Sequence, residues 1–209
     1  APGYTFPVGI PRFAKFDRNI RRGRRQSAAR AYLHPVLQRP NLEVICRAMA
    51  TRVVFDGRRA AGVEFTQDRG EPRRATAKEV ILCGGAINTP QLLQLSGVGN
   101  RDELRALGIA VVHHLPGVGE HLQDHLEVYV QHACRQPVTQ QPSLQLWRRP
   151  WIGVQWLFFR RGPGATNHFE AGGFVRGNDD AKYPNLMLHF LPLAIRYDGS
   201  PPPHGGRLK

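Results

Sequence analysis

Residues 79–99, EVILCGGAINTPQLLQLSGVG, constrain the fold more than any other stretch of the chain. Val80, Ile81, Leu82 and Cys83 form an unbroken apolar run, as expected of a strand covered on both faces. Two glycines follow at once, then a helical pattern carried by Leu92, Leu93 and Leu95. Thr89 reads as the cap, Pro90 as the first helical residue, and Ser96-Gly97 as the stop. A strand, a glycine turn and a helix start leave bare backbone N–H groups at the bend. Such a bend admits a phosphate or a ribose hydroxyl closely. An ordinary strand-to-helix turn needs glycine for its geometry as well, so spacing alone leaves both readings open.

The rest of the chain extends this alternation of strand and helix. Residues 27–37 carry a helical pattern that Pro40 ends, and residues 41–46 read as a short buried strand. Residues 52–55 and 62–66 alternate in polarity around Asp56-Gly57, the signature of a hairpin. Residues 75–83 form the next strand. Asn100 with Glu103 three positions on suggests a capping box, and Gly108 a left-handed helix end. Residues 109–112 read as a strand and residues 116–119 as a turn. Beyond about residue 126 the pattern changes to antiparallel style. Strands are expected at 126–134, 169–175 and 186–190, a helix at 147–159, and an irregular end at 198–209. The fold expected is an incomplete α/β Rossmann-like domain over residues 1–130, followed by an incomplete α+β domain over 131–209.

Composition narrows the function classes. The chain has 209 residues, 29 Lys and Arg against 16 Asp and Glu, and a formal net charge of +13. That charge suits nucleic acid, anionic lipid or an acidic cofactor. No nucleic-acid-binding motif accompanies it, so a basic nucleic-acid module is only the alternative reading and no nucleic-acid partner is expected. The three cysteines, Cys46, Cys83 and Cys134, are odd in number and lack CxxC spacing, which argues against a disulfide framework or thiolate zinc and for a reducing, cytoplasmic setting. The longest apolar stretch, residues 151–159, falls short of the about 20 residues that span a bilayer. Arg148, Arg149, Arg160 and Arg161 flank it, so it suits a membrane surface or a buried helix. His121 and His125 are four apart, but Pro116 and the nearby glycines favour a loop, and no metal site is expected. His113 and His114 would face opposite sides of a strand.

Residues 85–99, GAINTPQLLQLSGVG, resemble the second signature of the glucose–methanol–choline (GMC) oxidoreductases position for position. The blocks SAARAYL at 27–33, RPNL at 39–42, RAAGVE at 59–64 and LPGVGEHLQDH at 115–125 are similar to that family too. GATNHFEAGGF at 164–174 is similar to its choline-oxidising members. The resemblance implies FAD as cofactor and an alcohol as substrate. It implies that Cys83, Gly84 and Gly85 lie beside the adenosine half of FAD, with Asn88 just inside the helix. It implies that the backbone at Ala50 pairs with the adenine edge, and that Asp124 and His125 lie toward the isoalloxazine side. Glu170 matches the acidic position facing a trimethylammonium group, with His168 beside it on the same strand face. A quaternary ammonium donates no hydrogen bond and is held by charge and aromatic faces, for which Phe169, Trp151 and Trp156 are candidates. Choline or another primary alcohol is therefore the expected substrate, oxidised to the aldehyde and onward to glycine betaine. A membrane respiratory carrier is the expected electron acceptor, with peripheral association at the inner face of the cell membrane.

Two motifs of that family are not found. The G-x-G-x-x-G loop has no match, since Gly97-Val-Gly99 and Gly117-Val-Gly119 lack its third glycine. No histidine matches the family's catalytic base, so no catalytic residue is assigned in this chain. The sequence reads as an internal piece, inactive alone. Without the glycine loop the chain should hold FAD weakly, so the purified chain should show no bound-flavin absorbance. Stoichiometric bound flavin would refute this expectation.

Overall fold

The computed structural model describes residues 12–132, 134–136, 139–169 and 171–193. The expected irregular end at 198–209 lies outside them. The described chain forms two compact units, residues 39–128 and residues 1–38 with 129–209. The chain was expected to divide near residue 130, with residues 1–130 together. The first 38 residues instead join the C-terminal part, because β1 (Arg12–Lys15) pairs antiparallel with β9 (Ala171–Val175).

In the unit of residues 39–128, β4 (Ala48–Asp56), β5 (Arg59–Gln67) and β6 (Pro72–Thr76) form an antiparallel meander. The hairpin loop is Gly57-Arg58, one residue later than the sequence suggests, with Gly57 left-handed. Helix α1 (Gly85–Leu95) packs on β4. β7 (Val98–Gly99) and β8 (His113–His114) form a two-residue parallel ladder around α2 (Arg101–Ala106). The strand expected at 109–112 is thus displaced to His113–His114. No longer parallel sheet forms among the described residues.

The hydrophobic side chains buried in this unit are Val53, Phe65, Val98 and Leu104, with Leu104 2% exposed. Ser96 is buried among them. Its Oγ accepts the Val53 N–H at 2.8 Å and its hydroxyl donates to the Leu92 carbonyl. One hydroxyl thus joins β4 to the last turn of α1 and satisfies a backbone donor within the core. At α2, Asn100 Oδ1 accepts the Asp102 N–H, and the Asn100 amide donates to Glu103 Oε1. The cap is present, but Glu103 binds the capping side chain rather than the capping backbone.

Three expected strands do not form. Residues 41–46 are irregular and lead into left-handed Arg47. β6 ends at Thr76, the Ala77 N–H makes one further bond to the Ala61 carbonyl of β5, and residues 78–83 continue outside any strand, with Ile81 78% exposed. Residues 126–132 are irregular rather than a strand, with Leu126 99% exposed. Each has the apolar or alternating residues of a strand, yet composition alone does not supply the second strand that a ladder requires.

The other unit contains the sheet β1-β9-β10, with β10 at Leu186–Phe190, and a hairpin of β2 (Ile20–Arg21) and β3 (Arg24–Arg25). The Phe16 ring lies against Gly172, where any Cβ would collide with it and with the Leu188 carbonyl. The helical stretch expected at 27–37 consists of a wide turn at Ala29–Leu33 and a tight turn at His34–Val36. The helix expected at 147–159 is present as a helical run containing α3 (Arg149–Val154) and Gln155–Phe159. No helix among the described residues is long and apolar enough to cross a membrane.

Removing the buried hydroxyl or the most deeply buried side chain should weaken the first unit measurably. Ser96→Ala should cost about 1–3 kcal/mol, because the Val53 N–H is left unsatisfied. Leu104→Ala should cost about 2–5 kcal/mol. Urea unfolding followed by circular dichroism reads both. Wild-type midpoints for both variants would refute this account of the core.

Candidate functional site at the glycine bend

Helix α1 begins at Gly85 rather than at Thr89 or Pro90. Pro90 lies inside the helix, where its missing N–H leaves the Ala86 carbonyl without its intrahelical donor. Gly84 holds the cap position, and no side chain caps the first turn. Gly85 has φ +86°, and a Cβ built on it meets nothing within 4 Å. The bend after Cys83 is therefore open. Cys83, Gly84, Gly85 and Asn88 are all exposed, and no bulky side chain lies over Gly85.

The remaining expected residues take varied positions. Ala50 pairs with Phe65 in the β4–β5 ladder, just before a bulge at Thr51, whose hydroxyl donates to the Glu64 carbonyl at 3.1 Å. Asp124 and His125 follow the turn at 116–119 in irregular chain, and Asp124 Oδ1 accepts the His125 N–H at 2.7 Å. Glu170 lies outside the described residues. His168 is not on a strand, since β9 begins at Ala171 and His168 has φ 71°. That left-handed backbone breaks the alternation that would have put His168 on a strand face. Its Nδ1 is buried without a hydrogen-bond partner. Phe169 meets His189 edge-on, with ring centroids 5.8 Å apart. Trp156 is committed elsewhere, donating Nε1–H to the Gly23 carbonyl at 2.8 Å. His113 and His114 have separate partners, Arg58 and the Arg101 N–H, as opposite strand faces require. No group of three metal-ligating side chains occurs among the described residues.

Gln94 was not singled out from the sequence. Its amide donates to the Val118 carbonyl at 3.2 Å and ties α1 to the 116–119 turn. The available signal was one polar residue between Leu93 and Leu95 on an otherwise apolar helix end.

The model of the GMC oxidoreductase family matches residues 13–127, more than half of the chain. The chain belongs to the GMC oxidoreductase family. The oxygen-dependent choline dehydrogenase of Staphylococcus xylosus is 59% identical over 195 residues, covering 92% of this chain and 35% of that protein. The GMC chain thus spans about a third of the length of the curated relatives it matches. An FAD-dependent oxidoreductase from Chaetomium thermophilum superposes with a TM-score of 0.59 and 27% identity, over 72% of this chain and 27% of its own. Pyridoxine 4-oxidase from Mesorbium loti superposes with a TM-score of 0.65 and 28% identity, over 90% of this chain and 33% of its own. The GMC fold is therefore shared with flavin-dependent oxidoreductases.

The two glycines of this GMC segment should differ in their response to alanine. Gly85→Ala forces a Cβ into left-handed backbone and should cost about 1–2 kcal/mol. Gly84 has an ordinary negative φ, and its Cβ would only crowd Asn88 and Thr89. Gly84→Ala should cost less in the same urea assay. The reverse order would refute the assigned backbone geometry.

Proposed function

We propose that this chain is part of an FAD-dependent oxidoreductase that converts choline to betaine aldehyde. The observation that carries the proposal is the open, uncapped bend at Gly84 and Gly85 within a family whose choline-named member is 59% identical. Bare N–H groups at a helix start suit a phosphate or ribose oxygen, and the absence of a Cβ at Gly85 lets it approach. Gly84, Gly85, Cys83 and Asn88 would hold the adenosine side of FAD, and the Ala50 backbone its adenine edge. Asp124 and His125 would lie toward the isoalloxazine. Bound FAD would supply the acceptor for the hydride leaving the alcohol carbon.

Within the chain, residues 1–130 are proposed as part of the FAD-binding domain and residues 131–209 as part of the substrate domain, with β1 crossing that boundary to pair with β9. Glu170 would face the trimethylammonium group through charge, with Phe169 as an aromatic neighbour and His168 close by in sequence. A membrane respiratory carrier as electron acceptor, with peripheral association at the inner membrane face, completes the reading. The Trp151 and Arg148-Arg149 surface supports that association, as Trp and Arg favour the lipid interface.

Splicing this chain in place of the matching third of the Staphylococcus xylosus relative tests the proposal. The chimera should carry FAD one-to-one and consume oxygen when choline is added. Glu170→Gln in that chimera should raise the KM for choline by about tenfold or more, with flavin content unchanged, the loss of one close charge. A flavin-loaded chimera that oxidises other primary alcohols and ignores choline would overturn the substrate reading and leave the family assignment intact.

A further inference from the structure

We propose that Arg24, Arg25, Ser27, Arg30 and His34, together with Trp156, form a binding site for a phosphate-bearing anion. The site lies within one compact unit and is independent of the glycine bend. Its geometry follows from the local chain. β2 and β3 are joined by Arg22 and Gly23, both left-handed, which return the chain at once and place Arg24 and Arg25 beside the next segment. Ser27 opens the following helical turns, its Oγ accepting the Arg30 N–H at 3.2 Å. Arg30 and His34 are four residues apart and fall on one side of those turns.

Trp156 forms the wall. Its indole N–H holds the Gly23 carbonyl, and the Arg160 guanidinium lies 4.4 Å from its ring. The resulting cavity is an open, solvent-facing concavity of about 410 Å³, lined by Arg24, Arg25, Ser27, Arg30, His34 and Trp156. Small-molecule sites begin at about this size.

Charge decides the ligand class. No carboxylate lines the cavity. Among the described residues no ion pair engages Arg24, Arg25 or Arg30, and residues 128–169 contain no Asp or Glu. Arg160 Nη1, beside the same indole, is buried without an acceptor. Several guanidinium groups around one concavity repel one another until an anion enters. Planar guanidinium forks match phosphate oxygens two at a time, a histidine adds a further donor, and a serine hydroxyl another. The indole supplies an apolar face for an organic portion. A lipid headgroup and a free phosphorylated molecule share this chemistry.

Calorimetric titration of the 209-residue chain with inorganic pyrophosphate should saturate at one per chain. The pair Arg24→Gln/Arg30→Gln should weaken binding by about thirtyfold or more, since two charge-assisted contacts are lost. Arg25→Gln alone, a milder change, should weaken it by about fivefold. Arg101→Gln/Arg105→Gln removes the same charge outside the cavity, on α2, and should change affinity by less than about threefold. Equal weakening by both pairs, or no saturation, would overturn the site. Vesicles separate the two sources. If phosphatidylglycerol vesicles sediment the chain, phosphatidylcholine vesicles do not, and pyrophosphate releases it, the headgroup occupies this site. If pyrophosphate binds and neither vesicle does, the ligand is a free phosphate compound.

Discussion

A single buried hydroxyl organises the unit of residues 39–128. Ser96 accepts from Val53 on the hairpin and donates to Leu92 on α1, so strand and helix cannot slide past each other without exposing a bare donor. Everything near the bend takes its position from that contact. α1 carries Gly84 and Gly85 at one end, and Gln94 at the other reaches across to Val118. β4 carries Ala50 and its neighbouring bulge. Val98 and Leu104 close the core beneath the same joint.

Elements that depend on local chemistry were legible in the sequence. The β4–β5 hairpin follows from alternation around Asp56 and Gly57, α2 from Asn100, and the turn at 116–119 from its proline and glycines. Elements that depend on a partner were misread as to pairing. Val80, Ile81, Leu82 and Cys83 carry the composition of a covered strand, and composition records burial without naming what does the covering. Leu126, Val128 and Val130 show the same limit. The start of α1 was missed for a different reason. Thr89-Pro90 is a strong local start signal, but the helix begins earlier, at Gly85, and carries Pro90 in its interior at the loss of one rung.

The candidate site was legible in its backbone and less so in its side chains. Gly84 and Gly85 stand exposed at the bend that the two glycines predict, a geometry that serves a plain turn and a close ligand alike. His168 was misplaced because left-handed backbone is uncommon outside glycine, and the enrichment of histidine there is too weak a signal to read from one residue. Burial also differs between the two units. Among the described residues the buried hydrophobic side chains all lie within 39–128, whereas the β1-β9-β10 sheet exposes Phe13, Phe174, Met187 and Phe190. That sheet keeps its register through backbone pairing and the Phe16–Gly172 contact, with little apolar area removed from water.

Pro90 gives α1 two mechanically separate halves. With no N–H to offer the Ala86 carbonyl, the rung between the first and second turns is missing, and such a gap is where a helix bends most easily. A load on Gly85 is absorbed at that weak rung before it reaches Ser96. The open end of the helix can thus yield by small angular shifts toward whatever settles there, while the far end stays bolted to the hairpin.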